Sequence, residues 1–334
     1  MHSLNGKKIL YIGPKFFGYE NIIKSTLEEK FEAFVDFYDD RPSNDLWTKI
    51  FIRLKLKTLI KQKIDAYYTS IFNAIKEISY DYIFIISPET LSVKELTILK
   101  NLQHHATFIL YMWDSFDNKN SLNTIHLFDR VVTFDNHDAQ KYHLHFHPLF
   151  YIETYAKIPS KELFYDLCFI ATAHSDRYLI AKKVQKYLDQ FSLKMFSFLY
   201  LNTKLMYWGR RLFLKKYPYG PIAAFSFEPM SQAEIISVIS KSKAILDINH
   251  PSQVGLTMRT FEALGANKKL ITTNTNIKQY DFYNANNITI IDRTNPHIDM
   301  RFFDSPYEPL DKEVYEQYSL YNWINTVFDC QSNK

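Results

Sequence analysis

The chain has 334 residues, 46% of them apolar and 23% charged, a size for two domains that each bury a core and a balance that excludes a disordered polymer. Its net charge of +4 is mild: it permits a polyanionic or membrane-surface partner without requiring one. No run is long and apolar enough for a transmembrane helix, there is no apolar N-terminal segment, and the two cysteines, Cys168 and Cys330, offer no disulfide framework, so the chain reads as cytoplasmic.

Lys7–Ile12 (KKILYI) predicts a first buried strand, ended by Gly13-Pro14 and followed by a helix from about Glu20 to Lys30. This is a Rossmann-like βα unit without GxGxxG, which argues against a dinucleotide cofactor. A second strand, Ala33–Tyr38, ends in Asp39-Asp-Arg-Pro42, read as a solvated turn. Residues 44–79 are basic and helical in composition. Lys49, Arg53, Lys57 and Lys61 recur every four residues, which predicts one helix face, either solvated or turned to anionic headgroups or a charged saccharide. Strands follow at Asp81–Ile86 and Phe108–Trp113, with a helix near Val93–Gln103 between them. Each strand leads into a carboxylate, Glu89 after the first and Asp114 after the second. In a parallel sheet both lie at the C-terminal edge, where ligands bind.

A fifth strand is expected at Arg130–Phe134, with a short helix from Asn136 to Tyr142. His143, His145 and His147 alternate in HLHFHP. They would share one strand face, but no carboxylate or cysteine is placed to complete a metal site, and an ordinary strand is the better reading. Pro148 and Ile158-Pro-Ser-Lys161 mark a linker, which divides the chain into residues 1–155 and 156–310, with 311–334 as a closing helical segment.

The second half opens with the buried strand Tyr165–Ala171 and the loop Thr172-Ala-His-Ser-Asp-Arg177, rich in hydroxyls and leading into a helix to about Phe191. Another strand is expected at Lys194–Leu199. Residues 204–217 interleave Arg210, Arg211, Lys215 and Lys216 with Tyr207, Trp208, Leu212 and Phe213; the apolar residues form no single stripe on a helical wheel, though the mixture suits an interfacial patch. Nothing else suggests nucleic-acid binding. Ala223–Phe227 reads as a strand, and Ser231 as the cap of a helix over 232–242.

The richest stretch is Ala244–Asn274: a buried strand to Ile248, a loop containing Pro251 and Gly255, a helix over Thr257–Leu264 stopped by Gly265, and a strand over Lys269–Thr273. Such a βαβ unit binds ligands where the first strand hands over to the helix. Here Gly255-Leu-Thr-Met-Arg-Thr260 supplies backbone N–H groups, hydroxyls and a guanidinium at a helix start, which suits an anion and best a diphosphate. A short helix, a strand at Ile288–Ile291 and a closing helix over Glu313–Phe328 complete the chain.

The segment Gly255-Leu-Thr-Met-Arg-Thr-Phe-Glu-Ala-Leu-Gly265, followed by Lys-Lys-Leu-Ile-Thr-Thr-Asn274, resembles the donor-binding segment of GT-B glycosyltransferases, and more narrowly bacterial lipopolysaccharide-core and capsule transferases of the RfaS-like or CgeB-like kind. The resemblance implies an α/β chain of two Rossmann-like, doubly wound domains facing a cleft, with a C-terminal helix crossing back to the first. The nucleotide-sugar donor would be held by His174, Ser175, Arg177, Gly255, Leu256, Thr257, Met258, Arg259, Thr260 and Glu262, with Glu262 on the ribose. Two positions depart from the relatives: Ala171 stands where Gly is common, and Val254 where retaining members carry a second Glu, which leaves stereochemistry open.

The expected reaction moves a sugar from a nucleoside diphosphate to a saccharide or lipid-linked acceptor of a bacterial surface glycan, with no metal or other cofactor, at the cytoplasmic membrane face. Asp114 is the first candidate for the base and Glu89 the second. A nucleotide-sugar epimerase of the same architecture, a non-catalytic partner of another transferase and a phosphoryl transferase are the alternatives.

Overall fold

The computed structural model describes residues 4–53, 56–117, 121–159, 161–213 and 220–330. The chain divides into two compact units, one formed by Met1–Pro148 with Leu320–Lys334 and the other by Leu149–Ser319.

The first unit is built on β1 (Lys8–Gly13), β2 (Phe34–Asp39), β3 (Tyr82–Ile86), β4 (Thr107–Met112), β5 (Arg130–Thr133) and β6 (His145–Phe146). All pair in parallel, in the order β2-β1-β3-β4-β5-β6. Parallel strands need crossover helices on both faces, so the central strands are apolar throughout. Ile9–Ile12 and Ile83–Ile86 are accordingly fully buried. The helix Tyr19–Phe31 buries Ile23, Leu27 and Phe31, and its cap, Gly18, has φ +83°, a left-handed geometry that glycine adopts without steric cost.

The second unit contains β7 (Tyr165–Thr172), β8 (Met195–Tyr200), β9 (Ser242–Asp247), β10 (Lys269–Thr272) and β11 (Ile288–Ile290), again all parallel, in the order β11-β10-β9-β7-β8. Leu167, Phe169, Leu246 and Ile271 form its core with Val184, Leu188 and Tyr207 from the helices. Both sheets therefore follow the doubly wound 2-1-3-4-5 order. The α/β class expected from the alternating strand and helix pattern is what the chain adopts.

Five local expectations change. The turn at 39–42 is not solvated: Asp40 is fully buried, its carboxylate accepting from the Glu89 and Thr90 amides. The basic run over 44–79 is not one helix: Leu46–Arg53 ends where the Leu56 amide turns back to the Phe51 carbonyl, a 3-10 turn follows at Lys57–Ile60, and a new helix runs over Lys61–Ile75. The four-residue spacing from Lys49 to Lys61 thus crosses a break, and Lys57 donates to the Glu89 carbonyl instead of joining a common face. Residues 223–227 form no strand. Pro221 starts a 3-10 turn over Ile222–Ala224, and only Ser226 bridges to Tyr200 at the sheet edge. The histidine run forms only the two-residue β6, since His143 closes the preceding helix at φ +54°. The closing run splits into Lys312–Gln317 and Leu320–Val327.

That last helix belongs to the first unit. Trp323 is fully buried there, its ring 4.6 Å from Tyr111 and 6.1 Å from Phe84, and Phe328 lies 4.9 Å from Phe84. The helix thus returns to the first domain, as expected. Among the described residues no helix is long and apolar enough to cross a membrane.

Candidate functional site

In an open parallel sheet, ligands settle beyond the carboxyl ends of the strands at the point where strand order reverses. In the second unit that point lies between β7 and β9. Their loops, 173–176 and 248–257, are those whose residue types suggested anion binding.

Arg177 opens the helix Arg177–Asp189, and its side chain folds back beneath both loops. Its Nε donates to the Ile248 carbonyl at 2.7 Å, and Nη1 donates to the Thr172 carbonyl and hydroxyl at 3.1 Å each. One guanidinium therefore ties the end of β7 to the end of β9. Burial, together with Arg259 and Arg293 nearby, lowers its pKa to about 10 against the opposing pull of Asp247; it stays cationic at neutral pH.

His174 and Ser175 occupy the loop itself. Ser175 takes a left-handed φ of +49°, and its hydroxyl lies 3.1 Å from His174 Nδ1. Burial first, then Arg177, His250 and Arg210, push the His174 pKa down to about 3. Its imidazole is neutral at physiological pH and offers hydrogen bonds without adding charge.

Two further arginines reach this loop from distant segments. Arg210, on the helix Lys204–Phe213, donates to the Ala173 carbonyl. Arg293, just past β11, grips both oxygens of Asp176 at 3.0 and 2.9 Å, and donates to Asn249 Oδ1 at 2.8 Å, to Asn249 O at 2.8 Å and to the Thr273 hydroxyl at 2.9 Å. Burial works against the Asp176 charge, yet the Arg293 pair holds its carboxyl below the usual range. Arg293 thereby fastens the loops after β7, β9 and β10 to one point. Neither arginine stands in a motif; the only sequence signal is a basic residue following a strand or in a basic stretch.

The loop after β9 is arranged differently from expectation in detail. Thr257 caps the helix Met258–Gly265 by position but not through its side chain. Its hydroxyl donates instead to Asp247 Oδ2 at 2.8 Å, as does that of Thr260 at 3.0 Å. Both hydroxyls anchor the loop to the buried end of β9. Gly255 and Leu256 are buried, Leu256 at 1% exposure, so Leu256 acts through packing and backbone; Met258 is half-buried. Asn274 holds the loop from β10 by donating to the Val254 and Gly255 carbonyls at 3.1 and 3.3 Å. Arg259 is ion-paired with Glu262 one turn on, with side chains only 17% and 8% exposed.

In the first unit, strand order reverses between β1 and β3. Glu89 follows β3 but is committed: its carboxylate accepts from Arg41 Nε at 2.6 Å, and its amide donates to the fully buried Asp40 at 2.6 Å. Asp114 follows β4, half-buried, next to Trp113, whose amide donates to the Ser87 hydroxyl at 2.8 Å. The Trp113 ring lies 5.8 Å from Phe16, which meets Phe17 edge-on at 4.7 Å. Phe16 and Phe17 are 43% and 60% exposed and form, with Trp113, an aromatic ledge past the carboxyl ends of β1 and β4, one residue along the chain from Asp114.

Elsewhere, ligand atoms of Asp135, His137 and Asp138 lie within 4.8 Å of one another. Their carboxylates serve the backbone: Asp135 caps the helix Asn136–Tyr142 through the His137 and Asp138 amides, and Asp138 accepts from Phe116. His147 is pushed down to about 4 by burial and by Arg130.

No family model and no curated protein matches this sequence. Solved structures do. Anabaena HepE in complex with UDP-glucose is 10% identical with a TM-score of 0.59, over 98% of this chain and all of that one. A glycosyltransferase from Rickettsia africae is 12% identical with a TM-score of 0.58, over 99% and 100%. The lipopolysaccharide outer core galactosyltransferase WaaB is 13% identical with a TM-score of 0.52, over 96% and 99%. At such identities the likeness speaks for the fold. The chain has the GT-B fold along its whole length.

Proposed function

We propose that this GT-B chain is a glycosyltransferase that moves a sugar from a nucleoside-diphosphate sugar to a saccharide acceptor. The observation that carries the reading is the gathering of Arg177, Arg210, Arg293 and neutral His174 around the two strand-to-helix loops at the switch point of the second unit. HepE, a protein of the same fold, has been seen with UDP-glucose, which supports the class of donor.

In this reading the diphosphate lies against the loop 173–177 and the start of the helix at Met258. Backbone N–H groups and the helix dipole meet its charge there, backed by the guanidiniums. Charge growing on the departing diphosphate is balanced without a metal. Gly255, Leu256, Thr257, Met258 and Thr260 shape the loop, and Arg259 supplies positive charge. Glu262 is assigned to the ribose; because its carboxylate meets Arg259, nucleotide binding must share or displace that ion pair. The base that takes the acceptor proton is assigned to Asp114, which follows β4, with Glu89, ion-paired to Arg41, as the second candidate. The ledge of Phe16, Phe17 and Trp113 gives an acceptor sugar an apolar face to lie on.

A bacterial surface glycan, built at the cytoplasmic face of a membrane, is the setting we infer. The likeness to an outer-core galactosyltransferase supports it. The test is a panel of nucleotide sugars incubated with the protein, with and without acceptor glycans. Release of nucleoside diphosphate that depends on the acceptor supports transfer. Conversion of the donor sugar with no acceptor present would identify an epimerase, and donor binding without turnover a non-catalytic partner.

A further inference from the structure

The helix Lys204–Phe213 has two faces of opposite character. Met206, Tyr207 and Arg210 turn inward: Tyr207 is 1% exposed and donates to the Gly220 carbonyl at 2.9 Å, while Arg210 holds the Ala173 carbonyl. Leu205, Trp208 and Leu212, spaced three and four apart, form one outward stripe and are 73%, 50% and 65% exposed. Gly209, beside the stripe, has open space where a side chain would stand. Lys204 and Arg211 flank the stripe on one side, both exposed.

Once Tyr207 is assigned to the interior, the apolar residues left outside are ordered, which a wheel drawn over residues 204–217 obscures. Three large apolar side chains at such exposure cost free energy in water unless something covers them. The charge around them selects the cover. Exposed Lys204 and Arg211 border the stripe, and the sequence from Asn202 to Phe227 contains not one Asp or Glu. An apolar stripe of Leu and Trp edged by cations, in a stretch empty of acids, matches the boundary between anionic headgroups and acyl chains.

We propose that the Lys204–Phe213 helix docks the protein onto an anionic lipid surface by laying Leu205, Trp208 and Leu212 into it. This surface stands independently of the transfer reaction. The same helix holds the loop after β7 through Arg210, so the docking face and the candidate donor site share one element.

The test is co-sedimentation of the full chain with vesicles of mixed phosphatidylglycerol and phosphatidylcholine, against phosphatidylcholine alone. The comparison protein carries Leu205→Ser, Trp208→Ser and Leu212→Ser, exposed positions at which folding, checked by thermal unfolding, should be unchanged. The expected result is binding to the anionic vesicles that weakens with salt and falls at least about tenfold in the triple variant. Trp208→Phe serves as a second probe: it keeps vesicle binding but abolishes the lipid-induced blue shift of tryptophan fluorescence. Binding by the triple variant equal to that of the parent overturns the proposal. So does a parent that ignores anionic vesicles, or one that self-associates through this face and becomes monomeric in the variant.

Discussion

Arg293 joins more of the candidate site than any residue that stands in a motif. Its guanidinium makes five hydrogen bonds to Asp176, Asn249 and Thr273, which lie on three different loops. Arg293→Ala leaves Asp176 without its cation in a half-buried place, at a cost of about 2–4 kcal/mol. Nucleotide affinity should fall at least about tenfold in calorimetry because the loops lose their common anchor; unchanged affinity would show that the loops are held by other means. Asp114→Asn should lower kcat by about a hundredfold or more with donor affinity nearly intact, and a collapse of donor affinity would remove Asp114 from the role of base.

The histidines supply a pH test at the same scale. His174 and His147 ordinarily titrate near 6.5, and in the folded chain they are depressed to about 3 and about 4. Below 6.5 the unfolded chain binds protons that the folded chain refuses. Their contribution to stability is therefore complete above 6.5 and is lost progressively as pH falls toward 3–4. Discounted for partial exposure, each accounts for a slope of up to about 1 kcal/mol per pH unit. His147→Gln should flatten the fall in urea midpoint between pH 6.5 and 4; an unaltered slope would mean that carboxylates carry it. Serine and histidine in the loop after β7 are legible from sequence because neighbours in the chain are neighbours in space. Arg210 and Arg293 are not, because only the sheet order brings residues so distant to that loop.

At the scale of elements, hydrophobic patterning located the strands well, since a parallel sheet buries its strands on both faces and leaves apolar runs in the sequence. Where it failed, short-range geometry prevailed. Pro221 imposed a turn on an apolar stretch, and the helix face expected from Lys49 to Lys61 is interrupted after Arg53. Spacing alone misled for Lys57, which bonds to the Glu89 carbonyl. The helix Met258–Gly265 shows what a single residue at its end decides. A Cβ on Gly265 would lie 2.6 Å from the Tyr151 ring, which itself packs 4.8 Å from Tyr315, while Tyr315 donates to the Gly265 carbonyl at 2.8 Å. Gly265→Ala should therefore destabilise the protein by about 1–3 kcal/mol through overpacking. Thermal unfolding at least as stable as the parent's would show that Tyr151 can move aside.

At the scale of the molecule, two sheets with the same strand order carry different chemistry at their switch points. The second unit gathers arginines around strand-to-helix loops. The first presents aromatic rings and carboxylates. That contrast suits a charged donor and a sugar acceptor, and it rests on the nucleoside diphosphate occupying the second unit. Hydrogen–deuterium exchange of the intact protein with and without UDP and other nucleoside diphosphates measures this directly. The account predicts slowed exchange at amides 173–177 and 255–260 in the presence of the nucleotide that binds. Protection confined to the first unit, or none at these two loops with any nucleoside diphosphate, would contradict it.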